Sequence, residues 1–202
     1  MNNEIQPEEN QDFEKPIKKT VDEPSRWELF RFAIILLAIF IPLRIFVASP
    51  FVVYGSSMEP NFNTGDYLIV DELSYHFHTP NRGDVIVLTP PVSDKKYFIK
   101  RVIGLPNETV SVDGDQVYII NADHPKGFEL KEPYLAFHKG PQGTWHLGPD
   151  EYFVMGDNRD VSSDSRSWGP LKADKIAGRA FLRLYPFNKI SLLPAQGYTY
   201  QP

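Results

Sequence analysis

From residue 51 to the C-terminus, the chain consists of short runs of β-branched and aromatic residues separated by glycine, proline and asparagine. Such runs are typical of strands, and no amphipathic helix of full length stands out after residue 48. Asp113-Gly114 lies between two valine-containing runs and predicts a tight two-residue hairpin turn. We therefore expect a mainly β fold. The predicted strands cover residues 51–54, 67–70, 84–88, 97–103, 110–112, 117–119, 152–155 and 176–185.

The middle of this β region has a different composition. Residues 107–149 are richer in histidine, proline and glycine, and they predict a hairpin followed by loop. We interpret them as a small inserted subdomain. The β-sheet core is then formed by residues 49–106 and 150–202.

One apolar segment precedes the β region. No charged residue lies between Arg31 and Arg44, and the apolar character resumes through Ala48. A membrane-spanning helix needs about 20 mostly apolar residues, and an arginine near its end can extend its side chain to the interface. We interpret residues 27–48 as one transmembrane anchor rather than a buried core helix, because the segment has no polar face.

The charges on either side of this segment predict its orientation. Residues 1–26 are polar and charged and predict a disordered tail. Lysine and arginine are frequent before the segment, and none occurs between Arg44 and Arg82. The positive-inside rule therefore predicts a cytoplasmic N-terminus and an extracytoplasmic remainder. A cleavable signal peptide is the competing interpretation, but its positive region would be unusually long and acidic.

Composition excludes several functions. The net charge of -5, without a basic patch that contains interleaved aromatics, argues against a nucleic-acid partner. The absence of cysteine excludes disulfide scaffolds, thiolate metal sites and cysteine nucleophiles. His76 and His78 could share a strand face and bind a metal, but no third ligand lies at suitable spacing. We expect neither a metal nor a cofactor.

A serine in a predicted turn is the first candidate for chemistry. Ser57 lies in Gly55-Ser56-Ser57-Met58-Glu59-Pro60, where a hydroxyl could be exposed. A serine hydroxyl is a weak nucleophile that needs a base and a donor for the oxyanion. Neither a Gly-x-Ser-x-Gly elbow nor a neighbouring histidine accompanies Ser57. An ordinary Gly-Ser turn is the alternative.

A lysine in a predicted strand is the candidate base. In Phe98-Ile99-Lys100-Arg101-Val102-Ile103, Lys100 and Arg101 point to opposite faces, so one of them shares an apolar face. Burial lowers the pKa of a lysine, and a neutral lysine can act as a general base. An exposed lysine on an edge strand is the alternative. Ser57 and Lys100 are the pair that we predict to react.

A dense polar loop, residues 156–166, follows the predicted strand 152–155. Its hydroxyls could orient an amine, and a carboxylate–arginine pair could hold the loop. The alternatives are a solvated turn with local hydrogen bonds or a calcium loop. The loop lacks the central glycine and terminal glutamate of an EF-hand.

Taken together, these motifs resemble those of type I signal peptidases, of the short single-span kind found in Gram-positive bacteria. The resemblance covers nearly the whole chain after the tail. Each block alone is moderately specific, but the ordered set is highly specific. The blocks are the anchor and residues 55–60, 82–87, 100–106 and 156–166.

The resemblance implies a role for each matching residue. Ser57 would be the nucleophile and Lys100 the general base. The oxyanion hole would use the backbone N–H of Ser57, and Gly55 stands where some members carry a serine hydroxyl. Ser162 would orient the amine. The residues that would support the site in the same loop are Asp157, Asn158, Asp164 and Arg166. The candidate linings of the substrate pockets, for which core packing is the alternative, are Val53, Met58 and Ile99.

The resemblance further implies a signal-peptidase-like β-sheet core as the catalytic part, with a non-catalytic insert. The activity would be that of a membrane-bound serine endopeptidase that removes signal peptides from secretory preproteins. It would cut after small residues at -1 and -3, at the cell membrane, with the lipid bilayer as a second partner. A LexA-like self-cleaving protease is disfavoured by the anchor and by the lack of a DNA-binding segment. A catalytically dead binding module is disfavoured because Ser57 and Lys100 are both present.

Overall fold

A computed structural model describes residues 25–46, 48–93, 95–135 and 142–195 of the chain. The predicted tail, residues 1–26, therefore lies almost wholly outside the described residues. The chain divides into two compact units, Met1–Ile39 and Phe40–Pro202.

A single helix covers the predicted anchor. Helix α1 extends over Arg26–Phe46, close to the predicted bounds of 27–48. Within the described part of the chain, however, no helix is both long and apolar enough to span a membrane. The helix is thus confirmed, and its membrane-spanning character is not.

The rest of the described chain is mainly β, as predicted. The one α-helix described after α1 is α2, Ser165–Trp168. In chain order, the strands are β1 Ala48–Val52, β2 Tyr67–Asp71, β3 Val85–Leu88, β4 Phe98–Gly104, β5 Thr109–Asp113, β6 Gln116–Ile120, β7 Phe128–Glu129, β8 Gly143–His146, β9 Glu151–Met155, β10 Leu171–Lys172, β11 Ile176–Tyr185 and β12 Ser191–Leu192.

The larger sheet positions the candidate residues. Its strand order is β1-β2-β11-β3-β4-β9-β10, with β12 paired to β11, and all pairs are antiparallel. All four residues of β3 are buried, because this central strand is covered on both faces. Val85 packs in a core with Val53 and Phe62, whereas its neighbour Ile86 packs in another core with Val102. Strand β4, which pairs with β3, therefore also lies between these two apolar cores.

The insert contains more strand than we predicted. Strands β5 to β8 form a separate antiparallel sheet in the order β7-β6-β5-β8. The prediction that loop follows the hairpin is wrong, because β7 and β8 lie there. Asp113 pairs with Gln116, so the turn is Gly114-Asp115 rather than the predicted Asp113-Gly114. Gly114 takes the positive φ of 64° that such a turn needs.

The core of this second sheet is continuous with the first. Val110 and Ile119 of the insert pack in one buried cluster with Ile103, Phe153 and Met155 of β4 and β9. The division into a catalytic core and an insert at residues 107 and 149 stays a prediction.

Candidate active site

The structure brings Ser57 and Lys100 together. Ser57 lies in the turn between β1 and β2, and Lys100 lies in the first half of β4. Lys100 Nζ donates hydrogen bonds to Ser57 Oγ at 2.7 Å and to the Ile99 carbonyl at 2.8 Å. The lysine is only 2% exposed. A hydroxyl and an amine therefore lie within the distance at which a proton can be transferred.

The surroundings of Lys100 favour its neutral form. The pKa of Lys100 is lowered to about 8, mainly by burial; the charges of Asp164 and Asp157 oppose this change, and the nearby Arg166 adds to it. At a pKa of about 8, roughly a tenth of the amines are neutral at pH 7. A free lysine would be neutral in less than about one molecule in a thousand at that pH.

The turn that holds Ser57 is fixed from both sides. Gly55 has a φ of 90°, a left-handed conformation that side chains other than hydrogen rarely tolerate. The Thr64 hydroxyl accepts from the Gly55 N–H at 3.0 Å and donates to the Gly55 carbonyl at 3.2 Å. Met58 and Phe62 are buried behind the serine. Gly55 thus shapes the turn and supplies no side-chain donor.

The predicted support loop lies against this turn. Asn158 N–H donates to the Ser57 carbonyl at 3.0 Å. Asp164 accepts from the Gly156 N–H at 3.0 Å and from two guanidinium nitrogens of Arg166 at 2.8 and 2.9 Å. Burial opposes ionisation of Asp164, but these hydrogen bonds and the charge of Arg166 hold the pKa of its carboxyl below the ordinary value.

Asp157 faces the opposite side of β4. It accepts from Arg101 Nε at 2.8 Å and from Arg101 Nη2 at 2.6 Å, in an ion pair whose side chains are 0% and 1% exposed. Asn61 Nδ2 donates to the same carboxylate at 2.9 Å. The loop is therefore tied both to the serine turn and to the neighbour of Lys100.

Ser162 is near the site, but it does not form the contact that the resemblance implies. A Cβ atom added to Gly156 would lie 2.2 Å from Ser162 Oγ and 2.4 Å from the Ser57 carbonyl, so both serines border this glycine. The Ser162 hydroxyl helps to lower the pKa of Asp164. The Ser162 hydroxyl nevertheless forms no hydrogen bond with any described residue, so its interaction with Asp164 is a polar contact only. The orienting role of Ser162 stays a prediction.

A groove of about 410 Å³ opens beside the pair. Residues 51–57 form one wall, and residues 97–100 form the other. Val53 and Ile99 line this groove, and their role in substrate binding stays a prediction. Met58 is not among its lining residues, because its side chain is buried and its sulfur accepts from the Asp157 N–H at 3.4 Å. Further lining residues that the sequence did not indicate are Leu68, Val87, Val161 and Ser163.

Other buried residues near the site also lack a sequence signal. Asn61, Glu132, Tyr134 and Arg159 contact the support loop or its partners. Of these four residues, only Arg159 lies in a sequence motif, and nothing in that motif indicates that Arg159 pairs with Glu132. His76 lies in the 3-10 helix Ser74–His76, so it does not share a strand face with His78.

Comparisons with known proteins identify the family of this chain. The family model described as "Signal peptidase, peptidase S26" matches residues 26–185. A signal peptidase I of Leptolyngbya laminosa is 40% identical over 75% of this chain and 75% of its own length. Signal peptidase I T of Bacillus subtilis is 35% identical over 91% of this chain and 96% of its own length.

Among solved structures, a signal peptidase I of Enterococcus faecalis V583 matches 50% of this chain and 97% of its own length, at 32% identity and a TM-score of 0.44. The sequence matches cover the turn, β4 and the support loop together, because the family model extends through all three. The chain belongs to the signal peptidase family, peptidase S26, and is a serine peptidase.

Proposed function

We propose that the protein removes N-terminal signal peptides from exported preproteins, with Ser57 as nucleophile and Lys100 as general base. Membership of the signal peptidase family supports the activity. The observation that carries the assignment of the pair is the 2.7 Å hydrogen bond between Lys100 Nζ and Ser57 Oγ in a buried site.

The chemistry follows from this geometry. Neutral Lys100 accepts the proton of Ser57 Oγ while the oxygen attacks the scissile carbonyl carbon. Collapse of the tetrahedral intermediate breaks the peptide bond, and the ammonium returns the proton to the departing amine. A water molecule then attacks the acyl-enzyme while Lys100 takes its proton, which releases the signal peptide and regenerates Ser57.

The oxyanion requires a donor, and the backbone offers one. The Ser57 N–H has no hydrogen-bond partner among the residues that the structure describes. We assign it to the oxyanion hole. Gly55 contributes the conformation of the turn, and its positive φ disfavours a serine side chain there. The backbone therefore supplies the stabilisation without a hydroxyl at that position.

The groove suits an extended peptide. Residues 98–100 of β4 pair with β3 on one side, whereas pairing with β9 begins only at Arg101. A signal peptide can add as a strand beside this half of β4. Val53 and Ile99 lie in the groove walls, where they favour small residues at -1 and -3 of the substrate. Met58 shapes these walls from behind.

We further propose that residues 27–48 anchor the protein in the cell membrane as a single pass, with the N-terminus cytoplasmic. Helix α1 exposes large apolar side chains, including Phe32 and Ile39, which are 66% and 63% exposed. A lipid bilayer would cover such surface. Resistance of the protein to carbonate extraction tests this proposal, and full release into the supernatant would contradict it.

Cleavage of a preprotein with an Ala-x-Ala site tests the activity and the pair together. The full chain in detergent is assayed as wild type, Ser57→Ala and Lys100→Ala. We expect cleavage by the wild type and none by either variant. Full activity of Lys100→Ala would show that another base operates, and an inactive wild type on several such preproteins would contradict the proposed activity.

A further inference from the structure

A buried ion pair joins the insert to the support loop. Glu132 follows β7, and its carboxylate accepts from both terminal nitrogens of Arg159, with a distance of 2.9 Å for Arg159 Nη1. Both side chains are 4% exposed. Removing the partner of a buried charge is costly, so this pair holds the two segments together.

Arg159 also forms hydrogen bonds with residues around Ser57. Arg159 Nε donates to the Gly156 carbonyl at 3.0 Å, and Gly156 is the residue in contact with the Ser57 carbonyl. The Arg159 carbonyl accepts from Arg166 Nη2 at 2.7 Å. Arg159 therefore bonds to both ends of the loop segment that contains Asp157 and Asp164.

Tyr134 makes a second connection two residues after Glu132. Its ring lies 4.1 Å from the guanidinium carbon of Arg101, and its carbonyl accepts from Asn61 Nδ2 at 3.1 Å. Asn61 also donates to Asp157. The Tyr134 hydroxyl donates to Glu132 and thereby joins the two connections.

The segment that carries these contacts is itself anchored. Leu130 is buried in the core that the insert shares with β4 and β9, and its N–H donates to the Val117 carbonyl at 2.7 Å. The Leu135 N–H donates to the Glu132 carbonyl at 3.1 Å and closes a turn. Residues 130–135 thus form a fixed point outside the main sheet.

We propose that residues 130–135 of the insert are a brace that positions the Ser57–Lys100 pair, with Glu132 and Tyr134 as positioning residues. The brace rests on the proposed roles of Ser57 and Lys100. Glu132 fixes the support loop through Arg159, and Tyr134 fixes the Arg101–Asp157 pair behind β4. The insert is then part of what holds the reacting groups in register, although none of its described residues contacts them.

Glu132→Gln tests the brace with little change in shape, because the amide still accepts one hydrogen bond from Arg159. The matched control is Glu108→Gln. Glu108 forms a comparable ion pair with Arg82, at 2.7 Å and with side chains 7% and 11% exposed. The two side chains of that pair form hydrogen bonds with backbone groups at the end of β4, and not with the support loop.

The full chain is assayed in detergent with the same preprotein, at a temperature where circular dichroism shows every variant to be folded. For Glu132→Gln we expect kcat to fall about 10- to 100-fold, because small displacements of reacting groups are that costly. We expect KM to change less than about threefold, because Glu132 does not line the groove, whose walls are residues 51–57 and 97–100. Glu108→Gln should keep kcat within about twofold of the wild type.

The brace is contradicted if Glu132→Gln keeps the kcat of the wild type, or if both variants lose the same fraction of kcat. Tyr134→Phe removes the hydroxyl bond to Glu132 and keeps the ring, and it covers the case in which Glu132→Gln does not fold. We expect it to lower kcat about threefold, and an unchanged kcat there would also contradict the brace. Activity of Ser57→Ala in the same assay would instead contradict the proposed pair, so the two failures are distinguishable.

Discussion

Arg101 and Lys100 are neighbours in β4, yet each is buried on its own face of the strand. Lys100 reaches Ser57, whereas Arg101 forms a two-point ion pair with Asp157 and packs against the Tyr134 ring. An arginine keeps its charge in a protein interior, so one that is 0% exposed needs a partner for that charge. The strand therefore carries a lysine whose pKa is lowered by burial next to an arginine whose buried charge is paired.

We expect Asp157→Asn to destabilise the protein by about 3 kcal/mol, because it removes the carboxylate that pairs with the buried Arg101 charge. Urea unfolding of the full chain in detergent measures this change. Asp160→Asn is the matched control, since Asp160 is exposed three residues further along the same loop. Equal free energies of unfolding for the two variants would contradict a stabilising role of the Arg101–Asp157 pair.

Activity should depend on pH through Lys100. Because only the neutral amine accepts the serine proton, kcat/KM should rise about tenfold per pH unit below pH 8 and level off above it. The midpoint follows from the pKa of about 8 that burial gives to Lys100. A pH series from 6 to 10 on one preprotein measures it. A profile that is flat from pH 6 to 9 would contradict a lysine base.

Lys100→Met should make the protein more stable at neutral pH. The unfolded lysine keeps a pKa of 10.5, whereas the folded pKa is about 8. Below pH 8 both states hold the proton, and the folded state bears the full cost of a buried charge. Between pH 8 and 10.5 the unfolded state holds more protons, so the stability of the wild type rises with pH.

The lowered pKa of Lys100 corresponds to an increase on the order of 3 kcal/mol in the free energy of unfolding of Lys100→Met over the wild type at pH 7. This difference should shrink as the pH approaches 10.5. Urea unfolding at pH 7 and pH 10 measures both values. The isosteric character of methionine limits any loss of packing. A difference between variant and wild type that does not change with pH would contradict the depressed pKa of Lys100.

The sequence allowed much of the larger sheet to be predicted, because its strands have strong periodic patterns. The predicted run 176–185 coincides with β11, and 97–103 is displaced from β4 by one residue. Strands of two residues, such as β7 and β10, carry no periodic signal and were missed. The hairpin turn was displaced because register depends on pairing, and Asp113 pairs with Gln116 across the turn.

The candidate site was predictable only in part. Alternation indicated that either Lys100 or Arg101 would share an apolar face, but both are buried since β4 is covered on both sides. The partners of Arg101 lie far away in sequence, and local patterns do not encode such pairs. Glu132 and Tyr134 have no distinguishing spacing, and they become identifiable only when the fold brings the insert against the support loop.

Gly156 lies where the support loop packs against the serine turn. A Cβ atom there would lie 2.4 Å from the Ser57 carbonyl oxygen, a distance that real contacts essentially never show, so the backbone around Ser57 must move. We expect Gly156→Ala to lower kcat about 100-fold or more, because displacement of the nucleophile by about 1 Å has effects of that size. Steady-state cleavage of the preprotein measures this loss.

Gly148→Ala is the matched control for that substitution. A Cβ atom at Gly148 would meet only the flexible Glu151 side chain, at 3.3 Å, and we expect activity within about twofold of the wild type. Circular dichroism of both variants separates loss of activity from loss of folding. If a folded Gly156→Ala cleaved the preprotein as fast as Gly148→Ala, the contact between Ser57 and the support loop could not be what holds the nucleophile in place.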